Sequence, residues 1–222
     1  MQLLRFLRRT PCAVLLIAQL LGVLLYPFME GSSTGRATFS VFGIVVLGLA
    51  VVAVRQTPFL NWVATLLAGP SVVLLAIQAV TDSDALLPWS SATEALLYFY
   101  TAGAMIAYML ADHVVTTDEL FAIGAVFTLM AWAFAYVYVV IQALEPGSFI
   151  AAINTEQDRT WMELLFLSFT TLSSTGLSDV VPVRPHARSI SMVEQVTGLL
   201  YVAMIVSRLV GLKILRQQRR AP

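Results

Sequence analysis

The stretch Trp161-Met-Glu-Leu-Leu-Phe-Leu-Ser-Phe-Thr-Thr-Leu172, followed by Ser173-Ser-Thr-Gly-Leu-Ser-Asp179 and Val180-Val-Pro-Val183, decides how this chain is read. Its first part is apolar and helix-compatible, yet at about 12 residues it falls short of the roughly 20 that cross a bilayer core. A polar turn holding Gly176 follows, then a short return carrying Pro182. Two shapes fit this pattern. One is a re-entrant loop, a half-length helix that enters the membrane and returns to the same side. Irregular backbone at that depth is tolerated only inside protein or beside a wet cavity. The other is an amphipathic external segment lying on the membrane surface.

Outward from this segment, the composition places the chain in a membrane. Hydrophobic residues make up 59% of its 222 residues and charged residues 12%, against about 45–50% and ~25% in a soluble domain. So little charge cannot cover a water-soluble fold, which excludes a soluble enzyme and a disordered chain. Basic and acidic residues number 13 each, so there is no basic excess to attract nucleic acid. Cys12 is the only cysteine, which excludes an intrachain disulfide and a cysteine-built metal site.

Apolar runs at 11–29, 38–54, 59–80, 92–111, 120–144 and 189–212 predict an all-α membrane protein with six transmembrane helices. The quoted segment falls between the fifth and sixth. Thr116-x-x-Glu119 predicts a capping box at the start of the fifth, and Gly69-Pro70 a kink in the third. Arg5, Arg8 and Arg9 precede the first run as in a signal peptide. That run is long, however, and no small-x-small cleavage site follows it, so it reads as a retained span.

With six spans, Arg5, Arg8, Arg9, Arg55, Lys213, Arg216, Arg219 and Arg220 share one side, and Arg36, Arg159, Arg184 and Arg188 the other. The positive-inside rule puts both termini in the cytoplasm, and Arg208 is expected to snorkel to the inner interface. Glu30, Asp82, Asp84, Glu94, Glu145, Glu156, Asp158, Glu163, Asp179 and Glu194 are expected to face outward, leaving Asp112, Asp118 and Glu119 inward. An acidic exterior concentrates cations. The basic tail attracts anionic lipid, although topology alone accounts for it.

Thr170-Thr-Leu-Ser-Ser-Thr-Gly-Leu-Ser-Asp-Val-Val-Pro-Val183 resembles the pore signature of the potassium-channel superfamily, commonly T-T-L-T-T-V-G-Y-G-D-x-x-P. Residues 194–211 resemble the inner helix of bacterial members, and Glu145-Pro-Gly-Ser-Phe149 with the fifth span also resembles that group. The similarity covers roughly 118–212. It implies a pore-forming subunit with three identical partners around one axis, in the bacterial inner membrane. Potassium, or sodium, would be the permeant ion, with no cofactor and no enzymatic activity. By the same alignment the selectivity filter is Ser174, Thr175, Gly176, Leu177 and Ser178, with K⁺ held at Ser174, Thr175 and Gly176. Asp179 marks the outer mouth. Gly198 is a gating hinge as in the family, or else a close-packing glycine. The chain then divides into a four-span, sensor-like domain at 1–115, a pore domain at 116–213 and a short basic cytoplasmic tail at 214–222.

The filter departs from the family pattern. Thr175 stands where valine is usual, Leu177 where tyrosine is, and Ser178 where the second glycine is. Glycine takes positive φ freely and serine does not. Ser178 is therefore expected to be strained by about 1–3 kcal/mol per subunit, or the outer filter to be reshaped. Fewer dehydrated sites would discriminate K⁺ from Na⁺ less well. The fourth span carries no Arg or Lys, so the sensor-like layout lacks gating charges. Arg55 reads as a membrane-boundary residue. His113 and His186 fall on opposite sides and cannot share a site; His186 reads as a solvated loop histidine near the outer mouth. Glu194 either braces the loop from behind or sits at the interface. A channel-derived protein that does not conduct fits the same residues. A small-solute transporter would show inverted repeats, and none is seen. A membrane enzyme would need a motif such as His-Glu-x-x-His or Gly-x-Ser-x-Gly, and neither occurs.

Overall fold

Apolar runs become helices along the whole computed structural model, which describes residues 10–29, 33–54, 61–81, 84–111 and 116–218. In order these are α1 (Pro11–Met29), α2 (Ser33–Val54), α3 (Asn61–Thr81), a 3₁₀ turn (Asp84–Leu86), α4 (Leu87–Leu110), α5 (Thr117–Leu144), β1 (Phe149–Ala151), α6 (Trp161–Leu172), β2 (Val180–Pro182) and α7 (Pro185–Gln218). Among the described residues three helical stretches are long and apolar enough to cross a membrane: Pro11–Phe28, Thr117–Leu144 and Pro185–Ile214. Shorter apolar stretches, Phe42–Val52 and Trp62–Gln78, lie in α2 and α3.

Helix ends follow local chemistry. α3 runs through Pro70 without ending. α7 starts at Pro185, ahead of the expected 189, because a proline suits a first turn whose N–H groups have no helical acceptor. His186 is therefore helical, not in a loop, and its exposed Nδ1 lies 3.3 Å from Glu145. At α5 half of the expected capping box forms: the Thr116 hydroxyl accepts the Glu119 N–H at 3.2 Å. The Glu119 carboxylate accepts from the Arg208 guanidinium on α7 at 3.1 Å, with Glu119 buried and Arg208 partly buried. Arg208, expected to snorkel to the inner interface, is thus paired with a carboxylate in the first turn of α5.

α5 is the central helix. It packs along α4 on one side and α1 on another, carries α6, and meets α7. Ala122, Ala125, Ala131, Ala133 and Ala135 are fully buried on it, and such small side chains let membrane helices approach closely. Trp132, Leu129 and Tyr138 fill the layers between them. The helices α1 to α4 pack as a unit, α1 on α2, α2 on α3 and α4, and α3 on α4. Gly22 of α1 admits the Trp132 ring, which would lie 3.1 Å from a Cβ there.

After α5 the chain turns into β1, which pairs antiparallel with β2. Phe149 lies opposite Pro182, Ile150 opposite Val181 and Ala151 opposite Val180. The segment between the strands, which includes α6, therefore leaves and returns at the same end of α5.

Arg5, Arg8, Arg9, Glu30, Arg55, Asp82, Asp112, His113, Arg219 and Arg220 lie outside the described residues, as do the side chains of Arg36, Asp84 and Arg216.

Candidate functional site

Arg159, just ahead of α6, is pinned to the last turns of α5. Its N–H donates to Gln142 Oε1 at 2.9 Å, and its carbonyl accepts from Gln142 Nε2 at 3.0 Å. Its buried guanidinium donates to the carbonyls of Asn154 and Gln157 and to Glu163, at 3.2 Å for Glu163. α6 then opens with a complete capping box, Thr160-x-x-Glu163. The Thr160 hydroxyl accepts the Glu163 N–H at 3.3 Å, and the Glu163 carboxylate accepts the Thr160 N–H at 2.6 Å. This box satisfies free N–H groups at the helix start. The sequence reading overlooked it, although its signature is present.

From there α6 runs back along α5. Trp161 lies 5.3 Å from Trp132 and 5.8 Å from Tyr136, centroid to centroid. The Ser168 hydroxyl donates to the Ala131 carbonyl at 2.8 Å, and Phe169 lies 6.3 Å from Phe127. Twelve residues rise by about 18 Å, which carries the end of α6 to around the middle of α5.

The segment after α6 is shaped by its own amides. The N–H of Ser174 donates to the Thr171 carbonyl at 3.0 Å, and those of Thr175 and Gly176 both donate to the Thr170 carbonyl, at 3.0 and 3.1 Å. In a planar trans peptide each carbonyl points opposite to the following N–H. The carbonyls of Ser173, Ser174 and Thr175 therefore face away from α6. Among the described residues no backbone N–H donates to the carbonyls of 173–177. Ser173, Ser174, Thr175, Gly176 and Leu177 are all exposed in the single chain. The Thr175 hydroxyl turns back to the Thr170 carbonyl at 3.3 Å, so what Thr175 presents outward is its carbonyl.

Positive φ falls at Ser174 (59°) and Gly176 (65°). Strain was expected at Ser178, but Ser178 is not among the residues with positive φ. Its hydroxyl instead accepts the Val180 N–H at 3.1 Å, a local bond that holds the turn without a left-handed residue. The left-handed serine is Ser174, at a cost of about 1–3 kcal/mol. The two positive-φ residues alternate with Thr175, and this alternation aims successive amides at one carbonyl.

Behind the segment, α7 supplies Glu194. Of the two readings for it, bracing the loop from behind or sitting at the interface, the contacts fit the first: it is fully buried, and its carboxylate accepts from the hydroxyls of Ser168 on α6 and Tyr138 on α5. Tyr138 also lies 3.1 Å from the Ser191 hydroxyl. One side chain thus ties three helices together. Ser168 has a single proton and two acceptors, the Ala131 carbonyl and Glu194. Glu94, placed on the outer side by the charge count, is also buried. In both cases an acidic residue flanking an apolar run looks interfacial until its partner helices are placed.

Further along α7, Gly198 lies against the Leu172 carbonyl, where any Cβ would clash. The Tyr201 hydroxyl donates to the Ile123 carbonyl at 2.7 Å. The residues picked from the sequence thus come together in part. Ser174 through Ser178 form one loop at the end of α6, Asp179 closes it beside β2, and Gly198 packs behind it. The sequence reading set Glu194 behind the loop as one of two alternatives, but named none of its partners and missed Arg159, Ser168 and Tyr138. A polar residue at helical spacing in an apolar run was the one available signal. Among the described residues no group of His, Cys, Asp and Glu is placed to hold a metal ion.

The sequence model of the ion-channel family matches residues 95–212, more than half of the 222. The match takes in most of α4, all of α5 and α6, the loop, and α7 as far as Leu212. No curated protein and no solved structure matches the chain. The short helix α6, a loop of outward carbonyls and the matched span agree, and the chain belongs to the ion-channel family, as a member of the potassium-channel superfamily.

Proposed function

We propose that the chain is the pore-forming subunit of a tetrameric, potassium-channel-like cation channel. It has six spans, α6 as the re-entrant pore helix and Ser174 through Ser178 as the filter. The observation that carries this reading is the set of Ser173, Ser174 and Thr175 carbonyls turned away from the end of α6. Such oxygens replace a cation's hydration shell when several subunits bring them together. The C-terminal end of α6 adds the negative end of its dipole.

One loop cannot enclose a pore, so the reading requires cyclic symmetry, with three identical partners. The exposed state of the loop and of Val196, Leu199, Leu200 and Val206 on α7 gives neighbouring subunits and lipid surfaces to cover. Ions sit at the oxygens of Ser174, Thr175 and Gly176, with Asp179 at the outer mouth. Asp179, Asp158 and Glu163 border a cleft of about 460 Å³ and draw cations toward it. K⁺ passes, and Na⁺ is excluded less stringently than in relatives with the full motif, because the amides of Leu177 and Ser178 lack the tether that holds Thr175 and Gly176. Gly198 serves close packing and, when α7 moves, as its hinge. Both termini are cytoplasmic in a bacterial inner membrane, with anionic lipid at the basic tail. The protein is a conduit, with no enzymatic step and no cofactor.

The test is flux. Purified protein in liposomes should carry K⁺ well above empty vesicles, and Na⁺ more slowly. Absence of flux for both ions would replace this reading with that of a channel-derived protein that has lost conduction.

A further inference from the structure

The four-helix unit carries a buried carboxyl of its own. Glu94 sits about two turns into α4 and is 2% exposed. Tyr98 and Thr101 follow it on the same helical face, at i+4 and i+7, and both are fully buried. Across from them α5 provides Tyr136, whose hydroxyl faces the Glu94 carboxyl, and Trp132. The Tyr98 ring lies 5.8 Å from Tyr136 and 6.1 Å from Trp132.

This layer holds more polar atoms than partners. Among the described residues Glu94 Oε1, the Tyr98 and Thr101 hydroxyls and the Trp132 indole N–H make no hydrogen bond within the protein. A folded domain normally leaves only a few such atoms per 100 residues. The titratable groups around Glu94 are Tyr98 on its own helix, Tyr136 from α5 and, beside Tyr136, Tyr26 from α1. Over 42–52 and 62–78, α2 and α3 contribute none. No basic side chain is described against it.

A carboxylic acid can rest among these rings, whereas a carboxylate without a cation or a full set of hydrogen bonds cannot. When Glu94 gives its proton to water, the resulting charge must reach water, and Tyr98 and Tyr136 must repack around it. Tyr136 and Trp132 are the rings on which Trp161 rests. Trp161 is the first residue of α6, whose other end is the filter.

We propose that Glu94 is a proton-binding site of the four-helix unit, and that its proton occupancy is passed to the pore helix through Tyr136 and Trp161. The unit that lacks gating charges then reads protons. The second half rests on the channel reading; the site itself does not.

Two readouts on the full chain in liposomes separate the halves. The first is tryptophan emission from about pH 5 to about pH 9. Wild type should show a reversible change, because Trp132 and Trp161 lie in the layer. Glu94→Gln should lose it, and Glu94→Asp, which keeps a carboxyl, should retain it. Trp62 and Trp89 are exposed and give the same background in all three. The second is K⁺ flux over the same range. Wild type should change about tenfold or more, since each pH unit alters proton occupancy up to tenfold. Glu94→Gln should stay within about twofold of the wild-type acid value throughout. An emission change that persists in Glu94→Gln overturns the site. A lost emission change with flux still pH-dependent overturns the coupling to the pore helix. Lost flux in every variant, with the emission result as expected, overturns only the channel reading.

Discussion

A methyl group on Gly198 of α7 would overlap the carbonyl oxygen of Leu172, the last residue of α6, and would stand 2.7 Å from its carbon. The neighbour is backbone, so it cannot turn aside as a side chain would. Gly198→Ala should therefore push α7 off α6, at the upper end of the ~1–3 kcal/mol that overpacking costs. Thermal unfolding of the purified protein should fall by roughly 6–12 °C. An unchanged melting curve would mean that α7 separates freely from α6, as a hinge acting there alone would require.

Glu194 makes a second test of the same contact region. Removing it leaves the buried hydroxyls of Tyr138 and Ser168 with one acceptor fewer, at about 1–3 kcal/mol. Glu194→Ala should lower K⁺ flux by about tenfold or more. Glu194→Gln should stay within about threefold, because its amide supplies a donor where Ser168 has one proton for two acceptors. Equal damage from both substitutions would show that charge, not hydrogen bonding, is what the site requires.

In the proposed filter the backbone angles order the substitutions. Gly176→Ala, at φ 65°, should reduce K⁺ flux to background. Ser174→Gly, at φ 59°, should raise thermal stability, because relief of about 1–3 kcal/mol of strain outweighs the roughly 0.5–1 kcal/mol of extra entropy that glycine loses. Leu177→Tyr with Ser178→Gly should increase K⁺ preference in a bi-ionic flux assay. Native protein that already excludes Na⁺ as strongly as this double variant would contradict the proposed loose outer half.

The Arg208–Glu119 pair joins α7 to the first turn of α5, with Glu119 buried and Arg208 partly buried. Replacing either partner alone strands a charge, a loss of about 3–5 kcal/mol. Exchanging the two, Glu119→Arg with Arg208→Glu, should recover part of that stability in the same melting assay. No recovery would assign the loss to packing.

With no basic residue in α4, conductance should change little with membrane potential. Single-channel recordings that show steep activation would place gating charges elsewhere in the chain.

Much of this was legible before any coordinates. The run 161–172 is helical to the residue, because its neighbours are a capping threonine on one side and a serine-rich turn on the other. The loop was recognised from Gly176, Asp179 and Pro182. What stayed hidden was partnership. Periodicity says that Glu94, Glu194 and Arg208 interrupt apolar faces, but not that Tyr136, Ser168 and Glu119 wait opposite them. Nor does a motif say where the left-handed residue falls. Ser178 had the wrong identity for the family's backbone, whereas the loop bends at Ser174, because the amides of 175 and 176 reach for one carbonyl.

The hairpin of β1 with β2 and the Gln142 clamp on Arg159 are contacts within one chain. None of these contacts needs a neighbouring subunit, so a single chain can complete its loop alone. Forming the proposed tetramer is then the docking of finished parts, and its pace is set by lateral encounters in the bilayer. Halving the protein density should slow assembly in proportion to encounter frequency, with no slow refolding phase behind it.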